Sequence, residues 1–177
     1  MNLRPALILS FAVLAGCATS EGPGATVGAA VKAAPTAAFR TADFAWSTTT
    51  GQGQIVGQVA YKAHGVAYGC TASGVILTPE TAWVRGRMKV LYNSASGAAL
   101  PADEVRGRTP PERSQDYSNF IKRAKCGPAG EFTFSGLPDG SWYVITVARP
   151  QAPAAGPEMA LMRHVTIKGG KTVKVRL

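Results

Sequence analysis

Apolar and polar residues alternate with period two over several short stretches of this chain, and that alternation predicts β-strands. In the first, starting near Gln54, the residues Ile55, Gly57, Val59 and Tyr61 share one face and Gln58 lies on the other. Val75-Ile76-Leu77-Thr78 is a second, shorter strand, stopped by Pro79. Phe132-Thr133-Phe134 opens a third. Ser141 to Arg149 is apolar on both faces, which predicts a central strand covered on both sides. Arg163 to Lys168 and Lys171 to Leu177 read as the two arms of a hairpin, with Gly169-Gly170 as its two-residue turn. In the second arm Val173, Val175 and Leu177 face in, while Thr172, Lys174 and Arg176 face out.

Other stretches break this pattern. Leu7 to Leu14 is a continuous apolar run behind Arg4. A bilayer span needs ~20 such residues, so the run fits the central part of a cleaved export signal, residues 1–16. From 17 to 50 Ala, Gly, Thr, Pro and Ser dominate, which predicts a flexible linker ahead of a domain at 51–177. Phe39, Phe44 and Trp46 are the exceptions and are expected to dock against the domain. Residues 80–125 form an atypical insertion. Trp83, Val84, Arg87, Met88 and Leu91 fit one helical stripe, yet Arg85 to Leu91 fits an irregular strand equally well. Ser94 to Pro111 is loop by composition, and Tyr117, Phe120 and Ile121 lead into a strand ending near Cys126.

Composition agrees with a strand-rich domain: charged residues are sparse at 16 %, while Gly (20) and Pro (12) are plentiful. The formal charge is +9, and without Arg4 there remain 18 basic residues against 10 acidic ones. Nucleic acid is the usual partner of such a charge, but the export signal argues against it. Lipid head groups, lipopolysaccharide and wall polymers are the anionic neighbours of an exported chain. Of three cysteines, Cys70 and Cys126 form an even pair in an oxidising compartment, which reads as a disulfide, with two free buried thiols as the alternative.

Leu14-Ala15-Gly16-Cys17 resembles the lipobox of bacterial lipoproteins. The small residues fit a narrow peptidase site, and the Cys17 thiolate is the nucleophile that takes a diacylglyceryl group. The resemblance implies cleavage before Cys17, lipid (diacylglyceryl and palmitate) on that cysteine, and a membrane anchor. Ala18 at the next position implies sorting to the outer membrane, on its periplasmic or surface side.

The run Gly130 to Val144 contains Phe132-Thr133-Phe134-Ser135-Gly136-Leu137-Pro138-Asp139-Gly140-Ser141-Trp142-Tyr143. Phe132 and Phe134 bury together, the glycines and Pro138 shape a tight turn, and Trp142 or Tyr143 opens the return strand. This pattern resembles the signature of carboxypeptidase regulatory-like domains. Gly57 to Ala60, Val75 to Thr81 and Val165 to Val175 match the opening, second and closing strands of that family. The implied fold is all-β, a seven-stranded transthyretin-like or Ig-like β-sandwich. It also implies that Cys70 and Cys126 meet at one edge of the sandwich.

Catalytic chemistry has little support. The histidines, His64 and His164, have no adjacent nucleophile motif, and no phosphate loop or metalloprotease motif occurs. The scattered His and Cys spacing predicts no metal and no cofactor. Asp103, Glu104, Glu112, Asp116, Glu131, Asp139 and Glu158 fit ordinary solvated acids. The Tyr-Arg-Gly-Ser ending of the 5-hydroxyisourate hydrolases, which resemble this fold, is absent. Three basic clusters remain: Arg85, Arg87 and Lys89; Arg106, Arg108 and Arg113; Lys122, Arg123 and Lys125. They read as solvated loop charge or as a face for an anionic envelope polymer, to which Trp83, Tyr92 and Tyr117 would add sugar stacking if exposed. The expectation is a non-enzymatic binding or scaffolding lipoprotein, its partner an envelope protein or polymer. The alternatives are a carbohydrate-binding module, a subunit of a larger secretion or adhesion assembly, and a hydrolase built on His64 or His164 beside a carboxylate.

Overall fold

Two β-sheets stack face to face, and short helices cover the outside of the larger one. The computed structural model describes residues 37–110, 115–152 and 156–177. The expected export signal, Cys17, Glu112 and Arg113 lie outside the described residues.

Nine strands occur among these residues: β1 (Gly53–Gln58), β2 (Lys62–Ala63), β3 (Val66–Pro79), β4 (Gly97–Pro101), β5 (Lys122–Ala124), β6 (Glu131–Leu137), β7 (Gly140–Pro150), β8 (Met159–Ile167) and β9 (Thr172–Arg176). The α-helices are α1 (Ala82–Tyr92) and α2 (Ala102–Gly107), with 3-10 helices at Thr41–Thr48 and Gln115–Phe120. The small sheet has the order β6-β1-β9. The large one runs β2-β3-β7-β8-β4, with β5 also paired to β3. The all-β sandwich of the sequence analysis is therefore present, with nine strands rather than seven.

The Gly169-Gly170 turn forms, with φ of 63° and 64°, but it closes no hairpin. β8 pairs with β7 on one edge and β4 on the other. No edge is left for β9, which crosses to the small sheet and runs parallel to β1, with Ile55 opposite Val173. The Phe132 motif behaves in the same way. β7 is flanked by β3 and β8, so β6 pairs with β1 instead. The motif is a corner between sheets rather than a hairpin. Asp139 ties the two corners together by accepting the N–H groups of Gly169 and Gly170.

Two apolar clusters hold the molecule. The first lies between the sheets and includes Ile55, Leu77, Phe132, Phe134, Trp142, Val144 and Ile167. The second lies on the outer face of the large sheet, where Tyr143, Ala160 and Met162 meet Val84, Met88, Leu91, Ala102 and Val105. β7 is thus covered on both faces, as its sequence requires.

The atypical region builds this second layer. α1 takes the helical option: the Thr81 side chain caps it by accepting the Val84 N–H at 3.1 Å, a contact worth ~1 kcal/mol. Ser94 to Pro111, expected to be loop, is loop in its described part only at 94–96 and 108–110. Its Gly97-to-Pro101 part adds to β8 as a strand, and Ala102-to-Gly107 is helical. Low β-propensity is overridden here by an available sheet edge. Phe44 is fully buried and stacks on Phe120, with ring centroids 4.7 Å apart. Trp46 packs edge-on against Trp142 at 5.0 Å. The expected docking of the early aromatics holds, and it puts the last part of the 17–50 segment inside the packed unit instead of in a linker.

Candidate functional site

Glu80, which no motif singles out, is the most connected acid described. It follows Pro79 at the end of β3 and reaches over the large sheet. Its Oε1 accepts from Arg85 Nε at 2.7 Å and from the Tyr143 hydroxyl at 3.2 Å, and its Oε2 accepts from His164 Nε2 at 3.0 Å. Tyr143 and His164 are cross-strand neighbours on β7 and β8. Burial alone would raise the Glu80 carboxyl, but hydrogen bonds from Arg85 and His164, and then their charges, outweigh it and hold the pKa below the ordinary value. Desolvation, then the Glu80 charge, pushes the Tyr143 phenol up to about 12.

A histidine beside a carboxylate is the arrangement expected of a hydrolase. Here both carboxylate oxygens are taken and the phenol is fully buried. Among the described residues no nucleophile bonds to His164. The cluster is a clamp joining α1 to three points on the sheet. His64 is exposed at the β2–β3 turn with φ 50°.

Several of the described members of the basic clusters are already paired. Arg85 is bonded to Glu80, Arg106 to Asp103 and Glu158, and Arg108 to Glu104 and the Leu91 carbonyl. The Arg87 guanidinium lies 5.5 Å from the Trp83 ring centre. Lys89, Lys122, Arg123 and Lys125 are exposed, with no acidic partner among the described residues. Trp83 and Tyr117 pack into the second apolar cluster, and Tyr92 is buried within it. Among the described residues no aromatic side chain is exposed; Val90 is the large apolar residue at the surface.

Cys70 and Cys126 are bonded, with Cα atoms 6.3 Å apart. The bond joins β3 to the loop after β5. Beside it β3 bulges: Cys70 pairs with Ala148 and Val75 with Thr146, so Thr71 to Gly74 all stand opposite Val147. The Thr146 hydroxyl pins the far end by donating to the Gly74 carbonyl at 2.8 Å. Bulge, disulfide and the Gly127–Gly130 turn enclose an open groove of about 580 Å³, walled on the other side by Arg149 and Gln151. Its size is that of a small-molecule site. Among the described residues no His, Cys, Asp and Glu come together as a metal site, and no helix is long and apolar enough to cross a membrane.

With this geometry in view, one solved structure settles the architecture. The fold resembles that of PA1324 from Pseudomonas aeruginosa. That protein, described as a putative carbohydrate binding protein, is 21 % identical, with a TM-score of 0.59 over 78 % of this chain and 96 % of that one. A looser likeness, 16 % identical, is to BF2867 of Bacteroides fragilis, described as a putative cell adhesion protein. Its TM-score is 0.33, over 72 % of this chain and 40 % of that one, too low to carry an argument. No family model and no curated protein matches the chain, so the regulatory-like resemblance has no family model behind it.

Proposed function

We propose that this chain is a lipid-anchored protein of the bacterial cell envelope whose sandwich acts as a non-enzymatic binding or scaffolding module. The groove beside Cys70–Cys126 carries the binding reading: a preformed polar recess, braced by a covalent bond, with no acid–base pair among its lining residues. The disulfide supports an oxidising, exported location. The lipobox-like Leu14 to Cys17 supports anchoring through Cys17, and Ala18 supports the outer membrane. The sandwich is read as one of the regulatory-like, transthyretin-like type. Its partner is an envelope protein or an anionic envelope polymer, met in part through Lys89, Lys122, Arg123 and Lys125.

The resemblance to PA1324 supports a second reading, a carbohydrate-binding module. Sugars would then be held by polar groups, because no exposed aromatic ring is present among the described residues. Co-sedimentation of the full chain, in detergent, with cell-wall sacculi and with lipopolysaccharide across a salt series tests the main reading. Binding that fades with salt is expected, and no binding at low salt would discard the anionic partner. Labelling with radioactive palmitate tests the anchor, and the label should disappear in Cys17→Ser.

A further inference from the structure

The small groove-facing groups around Gly69 have a specific chemistry. Gly69 on β3 stands opposite Arg149 on β7, and having no side chain it leaves room for that of Gln151. Gln151, two residues on, places its amide nitrogen over the same glycine, 3.4 Å from where a Cβ would sit. Arg149 is exposed and has no hydrogen-bond or ion-pair partner among the described residues. Thr71, two residues along β3 from Gly69, also lines the groove, and its hydroxyl is shielded from solvent and lacks a partner. A buried hydroxyl left unpaired is destabilising, and a hydrogen-bond acceptor brought to it would relieve that cost. The turn Gly127–Gly130 forms the remaining wall.

No carboxylate lines this groove. The nearest acid in sequence, Glu131, packs against the back of the Gly127–Gly130 turn: its Oε2 accepts the Ala129 N–H at 2.9 Å, and its carboxylate fills the space where a Cβ on Gly127 would sit. A guanidinium presents paired N–H donors in a plane, the geometry that a carboxylate matches with two parallel hydrogen bonds. An amide N–H from Gln151 and a hydroxyl from Thr71 add single donors. Among the lining residues the one full charge is that of Arg149, and it is positive.

We propose that this groove is a binding site for a carboxylate group on a small organic anion, with Arg149 as the principal contact and Gln151 and Thr71 as supporting donors. The proposal rests on the binding reading above and assigns that reading a ligand chemistry. The carboxylate can belong to a sugar acid or to a peptide end, and the volume accommodates either.

The test is NMR titration of the full chain in detergent with D-glucuronate, with N-acetyl-alanylalanine and with neutral D-glucose. The expected result is saturable shifts around Arg149 and the Gly127–Gly130 turn with one or both anions, and none with glucose. The anion that binds more tightly identifies the source. Arg149→Met should weaken that binding ~10-fold or more while leaving the melting temperature unchanged, since the side chain is exposed and unbonded. Thr71→Val should weaken it several-fold without lowering the melting temperature. No shifts with either anion, glucose binding as well as glucuronate, or undiminished binding in Arg149→Met would each overturn the proposal. Failure here is separable from failure of the broader reading: a chain that sediments with sacculi but takes up neither small anion keeps that reading and loses the groove.

Discussion

The two sheets of this sandwich share a core but present opposite outer faces. On the small sheet Gln54, Gln58, Thr133, Ser135, Thr172, Lys174 and Arg176 point to solvent. Gln54 bridges Ser135 and Thr172 by hydrogen bonds of 3.2 and 3.3 Å. On the large sheet the corresponding positions of β7 and β8 are Tyr143, Ile145, Val147, Ala160 and Met162, all roofed by helices. A sheet with one wet face needs alternation, broken here only lightly by Val56, whereas one buried on both faces needs apolar residues throughout. The large sheet is therefore the half of the molecule that cannot stand without its cover.

The sharpest way to break this contrast is to remove the cover. Phe44→Ala should destabilise the fold by about 3–5 kcal/mol, the usual cost of deleting a fully buried phenyl ring. Chemical denaturation reads this directly. A loss below ~1 kcal/mol would mean that the first 3-10 helix is not part of the packed unit.

The disulfide acts at the groove end of the large sheet. It closes a loop with a sequence separation of 56, for which chain entropy predicts about 4 kcal/mol. Cys70→Ala with Cys126→Ala should cost about 2–4 kcal/mol, and adding reductant to the natural protein should give a similar drop in melting temperature. An unchanged melt would show that the bulge holds itself.

The Glu80 clamp fastens helix to sheet, and its effect depends on pH. Because the folded carboxyl titrates below its ordinary value of 4.5, the stabilisation is fully present above that value. It is lost as pH falls through the lower, folded value. Glu80→Gln should cost roughly 1–3 kcal/mol at neutral pH and should flatten this part of the acid limb of the stability profile. An acid limb identical to that of the natural protein would remove the clamp from the account.

The bare face supplies the control. Gln54→Ala and Ser135→Ala should each change stability by less than about 0.5 kcal/mol. A larger loss would show that the hydrogen-bonded row across the small sheet is structural.

Much of this was legible in advance, for identifiable reasons. The strand at Gln54, the doubly covered strand after Ser141, the inward set Val173, Val175 and Leu177, and the docking aromatics all announce themselves by which positions are apolar. The pairing of Cys70 with Cys126 was the expectation once Cys17 was assigned to the lipobox-like motif, because two cysteines then remain. The groove was not legible. Arg149 ends a strand that reads as core, Gln151 follows that strand, Thr71 lies in an unremarkable polar stretch, and the groove they line depends on a bulge that no residue pattern marks. Glu80 was equally silent, because its three partners lie 5, 63 and 84 positions away along the chain.

What the sequence determined alone, then, was which residues turn inward, where the chain bends and which class of fold results. These are properties of side chains and local backbone angles. Which strand pairs with which was decided by the tertiary structure. The Gly169-Gly170 turn reverses the chain, yet β8 already has both edges occupied, so β9 must find β1. Each strand has two hydrogen-bonding edges, and competition for them is settled only when all the strands are present together.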